Sequence, residues 1–211
     1  MFHINHKVLN INPNIMKIGI IGIGTLTLEL ARRSVQAGYQ VIINNPRGNG
    51  IVRETIEKLG PNIELASLDK ACEAELLLLF IPKDNLESVL KNMPDTTGKI
   101  VVHTSSLIFN PQSLLSGITN ALTYQITAEL LPKAHVVKLF NPVKLEKQNL
   151  PVQQKDEIFF IAKHSESKLR IQNYLKSLNF SAIDLSRRLQ FSGVEANPDV
   201  IHSIKNYPKG N

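Results

Sequence analysis

A doubly wound α/β fold is what the sequence predicts: a parallel sheet with helices on both faces and a short C-terminal extension. Three observations carry that expectation. Short apolar runs recur at 18–21, 39–43, 63–66, 76–81 and 100–103, each of a length that suits a buried strand. Amphipathic stretches of helical period stand between them, which is the alternation that yields a sheet covered on both faces. The first such transition is punctuated by Gly22-Ile23-Gly24, a turn that lets a strand run straight into a helix.

Taken in order, Ile18, Ile20 and Ile21 form the first strand, and Leu26, Leu30, Ala31 and Val35 fall on one face of the helix that follows. Ala37-Gly38 ends that helix, and Tyr39 to Ile43 is the second strand. Helical character over 52–59 stops at Gly60-Pro61, Ile63 to Ala66 is a third strand, and Ser67 is placed to cap a small helix running through Cys72. Leu76 to Ile81 makes the fourth strand, closed by Pro82, whose missing N–H forbids further central pairing. A helix from Asp84 or Asn85 carries Leu86, Val89, Leu90 and Met93 on one side, and Ile100 to His103 is the fifth strand. Beyond it the pattern predicts a helix over 122–131, strands at 135–140, 157–162 and 181–185, and a helix over 165–178. The expected organisation is a tail at 1–15, one nucleotide-binding domain at 16–189, and a second tail at 190–211.

Composition narrows the classes. The chain has 211 residues, of which 43% are hydrophobic and 20% charged, as in an ordinary globular protein. No apolar run approaches membrane-spanning length, and the first fifteen residues lack the pattern of a signal peptide, so a cytoplasmic protein is expected. The net charge of +6 is scattered rather than clustered, which argues against nucleic acid and suits a ligand with several phosphates. Cys72 is the single cysteine and reads as a small buried hydrophobe. His3 and His6 are assigned no function, and His135, His164 and His202 are too dispersed to suggest a metal. No G-x-S-x-G elbow or G-K-[ST] phosphate loop is present.

The glycine turn is the first half of a dinucleotide-binding unit, the Rossmann pattern. Gly22 permits the sharp turn, and Gly24 would let the backbone of Ile23, Thr25 and Leu26 approach a pyrophosphate at the helix N-terminus. The third small residue of G-x-G-x-x-G/A is replaced by Thr27, which is expected to press the helix slightly outward and can bond back to the turn. After the second strand, an NAD site would place Asp or Glu; here stand Asn44-Asn45-Pro46-Arg47. With no carboxylate to repel a phosphate and a guanidinium to receive one, NADP is the expected cofactor. Because ligands gather at the C-terminal ends of parallel strands, Phe80, Ile81 and Pro82 are expected as apolar wall. Thr104, Ser105 and Ser106 are expected as hydroxyl donors, with a plain turn and cap as the alternative reading.

The segments KIGIIGIGTLT, NNPRG, the strand leading to Ile81-Pro82, LLPKAHVVKLFN and LKSLNFSAIDL, in that order, resemble the NADP-dependent oxidoreductases that act on the deazaflavin coenzyme F-420, and their bacterial relatives. The resemblance runs from about Lys17 to Leu189. It implies a Rossmann domain that holds the nicotinamide against a second redox ring. Gly22, Gly24, Thr25 and Leu26 match the phosphate turn, Asn45 and Arg47 the adenosine phosphate site, Ile81-Pro82 the apolar wall, and Asn141 the asparagine ending the sixth strand. The chain departs from the pattern after the fifth strand, where His103-Thr104-Ser105-Ser106-Leu107 replaces an Asp-x-Thr-Asn-Pro-like segment. It departs again in its C-terminal tail, which is shorter than the usual helical continuation.

Hydride transfer between two rings needs orientation more than an acid or base. His103, at a strand's C-terminal end and with an ordinary pKa near neutral, is the weak catalytic candidate. The expected function is an NADP(H)-dependent oxidoreductase with a flavin-like, deazaflavin or other small-molecule acceptor, working as a homodimer. A non-catalytic NADP(H) sensor is the alternative, and an NAD-linked enzyme is the third reading.

Overall fold

The computed structural model describes residues 16–108, 124–141 and 155–186. The expected tails therefore fall outside the described residues. Eight strands form one sheet: β1 (Lys17–Ile21), β2 (Gln40–Asn44), β3 (Ile63–Leu65), β4 (Leu76–Leu79), β5 (Ile100–Ile108), β6 (His135–Asn141), β7 (Asp156–Ala162) and β8 (Phe180–Asp184). Their spatial order is β3-β2-β1-β4-β5-β6-β7-β8. All neighbours are parallel except β6 and β7, which run antiparallel. This is a Rossmann-type sheet whose order reverses between β1 and β4, and a cleft opens above such a reversal.

The helices divide between the two faces. α1 (Thr25–Gln36), α2 (Arg53–Glu57, entered through a 3₁₀ turn at Asn49–Val52) and α6 (Ser165–Ser177) cover one of them. There Leu26, Leu30, Ala31, Ile56, Ile171, Tyr174 and Leu175 pack on Ile18, Ile20, Val41, Ile43, Leu76, Leu78, Val102 and Phe160. α3 (Leu68–Cys72), α4 (Lys83–Lys91) and α5 (124–130) cover the other, where Ala71, Cys72, Leu86, Leu90 and Tyr124 meet Ile21, Ile42, Leu77, Leu79, Val101 and Val136. The four leucines of β4 are buried on both faces, which is why this strand is a continuous apolar run rather than an alternating one.

Two local expectations hold at the level of atoms. The Ser67 hydroxyl accepts the Lys70 N–H and caps α3, and burial pushes the Cys72 thiol up to about 11. α1 and α6 are joined by a buried hydrogen bond of 2.8 Å between Ser34 and Tyr174. Arg33 ties α1 to the far strands: its guanidinium lies 4.1 Å from the Phe180 ring centre and 2.5 Å from the Asp156 carboxylate. Among the boundaries that differ from the sequence reading, two have a local cause. α4 begins at Lys83 because Pro82, extended at φ −55 and ψ 144, takes the cap position. β5 continues to Ile108, since β6 offers it a pairing partner well past His103.

Candidate functional site

The site is built where β1, β2 and β4 end. Gly22 has φ +84, a conformation that side-chain-bearing residues seldom adopt, and a Cβ there would lie 2.0 Å from the Phe80 carbonyl oxygen. Its N–H donates to the Asn44 carbonyl, and the Phe80 N–H donates to the Ile21 carbonyl, so the turn is stitched to both neighbouring strands. Gly24 also has a reason within the fold to be glycine. The Phe80 ring sits against its α-carbon, with ring atoms 2.5–2.8 Å from where a Cβ would stand. Its N–H is also engaged, donating to the Thr27 hydroxyl at 2.9 Å.

The Thr27 hydroxyl bonds back to the turn. Thr27 is 1% exposed, and its Oγ1 lies 3.1 Å from the Gly24 carbonyl and 3.4 Å from that of Gly22, which closes the turn onto the first helical residues. The N–H groups of Thr25, Leu26 and Thr27 have no i−4 acceptor inside the helix and lie at its positive end. Leu26 itself turns its side chain into the core at 6% exposure, so only its backbone faces a ligand.

A second set of contacts braces the loop after β2. The Asn44 and Asn49 amides both donate to the Ala66 carbonyl, at 3.1 and 2.8 Å. The Asn45 amide donates to the Gly48 carbonyl, while the Asn45 N–H donates to the Asn49 side-chain oxygen. The asparagines are thus structural braces, and they hold Arg47 outward: it is exposed, and no acidic partner among the described residues pairs with it. A groove of ≈ 60 Å³ runs between this loop and the end of β4, lined by Gly22, Ile23, Asn45, Pro46, Arg47, Phe80, Ile81, Pro82, Asn85 and Val89. Asn85 and Val89, placed in this helix by the sequence, were not singled out as site residues, although their position in the first turns of α4 beside Pro82 would have found them.

The β5–β6 side departs from expectation. The Thr104 hydroxyl is buried and donates to the Leu79 carbonyl at 2.8 Å, so it is spent on the sheet. Ser105 and Ser106 belong to the extended strand rather than to a turn. Asn141 is the last residue of β6, opposite Ile108. His103 is 3% exposed and shares a 3.3 Å hydrogen bond between its Nδ1 and the Thr127 hydroxyl. Burial, aided by the charge of Lys138, lowers its pKa to about 3, so it is neutral near physiological pH and is not the near-neutral acid or base its residue type suggested. Lys138 stands directly across the rung from it, fully buried, and its Nζ has no hydrogen-bond partner among the described residues. The sequence reading passed over this lysine, yet a charged residue inside His135-Val136-Val137-Lys138-Leu139-Phe140 is a visible signal. His135 and His164, too dispersed in sequence to suggest a metal, stack with ring centres 4.6 Å apart. Among the described residues no cluster of three or more metal-binding side chains includes them.

With this geometry in place, the likeness to known proteins can be stated. Residues 17–106 match the family described as NADP oxidoreductase coenzyme F420-dependent. The chain is 24% identical over 188 residues to metalloreductase STEAP3 of Rattus norvegicus, a match that takes in 86% of the chain and 36% of that protein. The chain thus spans about a third of the length of this curated relative. Among solved structures, hypothetical protein SMa0349 from Sinorhizobium meliloti is 28% identical with a TM-score of 0.66, covering 83% of this chain and 86% of that one. An imine reductase from Myxococcus stipitatus, in complex with NADP+, superposes with a TM-score of 0.56 at 15% identity, over 81% and 55% of the two chains, and shares the fold.

Proposed function

We propose that this protein is an NADP(H)-dependent oxidoreductase that passes a hydride between the nicotinamide and a small acceptor of flavin-like or deazaflavin type. The observation that carries the reading is the groove in which the Gly22–Gly24 turn, the asparagine-braced Arg47 and the Phe80–Pro82 wall converge. The N–H groups of Thr25, Leu26 and Thr27 at the start of α1 fit a pyrophosphate, and the exposed Arg47, in no ion pair among the described residues, fits the extra phosphate of NADP. The apolar Ile81 and Pro82 fit a ring. When bound, the dinucleotide supplies the hydride chemistry.

The chain's own residues bind and orient. The turn fixes the phosphates, the β2 loop sets which dinucleotide is preferred, and the apolar wall keeps water from the ring. The family description and the word metalloreductase in the relative's name support a reductive role and leave a metal-linked acceptor within the class. Cytoplasmic location and a homodimer remain part of this reading; among the described residues no helix is long and apolar enough to cross a membrane.

The test is a titration with NADPH and NADH, followed by nicotinamide absorbance in the presence of deazaflavin, FMN or a ferric chelate. NADPH oxidation with one acceptor supports the enzyme. Tight binding without turnover favours the sensor reading, which draws on the commitment of the Thr104 hydroxyl and the neutrality of His103.

A further inference from the structure

Lys138 is the one described side chain with a buried nitrogen or oxygen lacking any hydrogen-bond partner. An amine withdrawn from water in this way is costly unless something completes it. The amine's surroundings say what is missing. Across the rung stands His103, itself buried, and on the same strand the Phe140 ring centre lies 5.9 Å from Nζ. Tyr124 and Thr127 on α5 are also buried on this face. The acidic side chains of the covering helices, Asp69 on α3, Asp84 and Glu87 on α4, and Glu129 on α5, are all exposed to solvent. Among the described residues, then, Lys138 has a neutral imidazole across the rung, bonded to the Thr127 hydroxyl, and an aromatic ring on its own strand, and the acids of the covering helices point to solvent.

Its position is equally telling. His103 pairs with Leu79, the last residue of β4, so the His103–Lys138 rung is level with the start of the Phe80–Pro82 wall. Lys138 and His103 lie on the face that also holds Ile81 and α4, whose Asn85 and Val89 line the groove. Resting on the oxidoreductase reading above, this is the side on which a second substrate would approach the nicotinamide end.

We propose that Lys138 is an oxyanion-receiving residue for the second substrate, taking a carboxylate or an equivalent negatively charged oxygen. The ammonium supplies three donors at a water-poor position, where an anion is held more strongly than at the surface. Its four-carbon stem is flexible enough to extend the amine toward the open ends of the strands. His103 contributes by being neutral: a carboxylate at that position would satisfy the lysine internally and close the site to a ligand. Burial lowers the amine's pKa to about 7, so anion uptake draws a proton in and is favoured on the acid side of that value.

The experiment is thermal unfolding of the full chain in sodium formate against sodium chloride of equal ionic strength, at a pH below about 7. It compares the wild type, Lys138→Met and His103→Asp. Expected is a saturable formate-specific rise in the wild-type Tm that both variants lose, because one lacks the amine and the other supplies its own carboxylate. Lys138→Met removes an unpaired buried amine and should fold at least as well as the wild type. Absence of a formate-specific shift in the wild type, or a wild-type-sized shift in either variant, overturns the proposal. An NADPH titration of the same samples judges the nucleotide reading separately, so either can fail without the other.

Discussion

Arg47 and Lys138 stand four strands apart along the sheet, beyond β2 and on β6, and they meet water in opposite ways. Arg47 projects from a loop whose asparagines satisfy the surrounding backbone, so its charge is solvated and its presence costs the fold little. Lys138 is wholly buried with no hydrogen-bond partner for its amine among the described residues, so its presence works against the fold. A residue of the first kind is maintained cheaply wherever a phosphate must be recognised. A residue of the second kind persists against its own stability cost, and for that reason points more sharply to a role.

The comparison depends first on the scaffold beneath the groove. Gly22→Val is expected to have the largest effect, because it places a side chain at φ +84 with its Cβ 2.0 Å from the Phe80 carbonyl oxygen. A loss of ~3 kcal/mol or more in urea unfolding is anticipated from backbone strain and overlap together. Lys138→Met should move stability the other way, by ~1–3 kcal/mol, since it replaces an unsatisfied buried donor with an apolar chain of similar shape. A Met variant less stable than the wild type would show that the amine has a partner after all.

Titration sharpens the same contrast. The folded-state pKa of His103 is lowered from 6.5 to about 3, and that of Lys138 from 10.5 to about 7. In each window the unfolded chain binds more protons than the folded one, so stability rises with pH there. Lowering the pH from about 10.5 to 7 should therefore lower the Tm through Lys138, and from about 6.5 to 3 through His103. His103→Leu should flatten the acid limb and Lys138→Met the alkaline one, measured as Tm against pH. Glu29 adds to the acid limb at its lower end: hydrogen bonding from Arg32 holds its pKa down to about 2, so its contribution is lost as pH falls from 4.5 toward that value.

Arg47→Ala has the smallest expected effect on the fold and a selective one on binding. NADPH affinity should fall by about tenfold, ~1.4 kcal/mol, with NADH affinity and Tm unchanged. Equal losses for both dinucleotides would mean that Arg47 touches something the two share.

Much of the first half was legible in the sequence because its signals are local. Gly22-Ile23-Gly24 after an apolar strand, Ser67 before a short helix, and Asn44 to Arg47 where a carboxylate would otherwise stand can each be read within a few residues. A parallel sheet covered on both faces followed from alternation. Contacts between distant positions were not legible. That Phe80 would pack its ring on Gly24, that Thr104 would bond the Leu79 carbonyl, and that His135 and His164 would stack depend on register and helix placement, which no local pattern carries. His103 was noticed for its residue type and place, but its neutrality comes from burial beneath α5 and from Lys138 across the rung.

The most direct test of the account is calorimetric titration of the wild-type protein with NADPH and with NADH under the same buffer and salt. The account predicts that NADPH binds in a one-to-one complex and at least about tenfold more tightly than NADH, as a guanidinium facing an added phosphate should produce. NADH binding as tightly as NADPH, or neither binding at all, would contradict it and leave the glycine turn as a device of the fold alone.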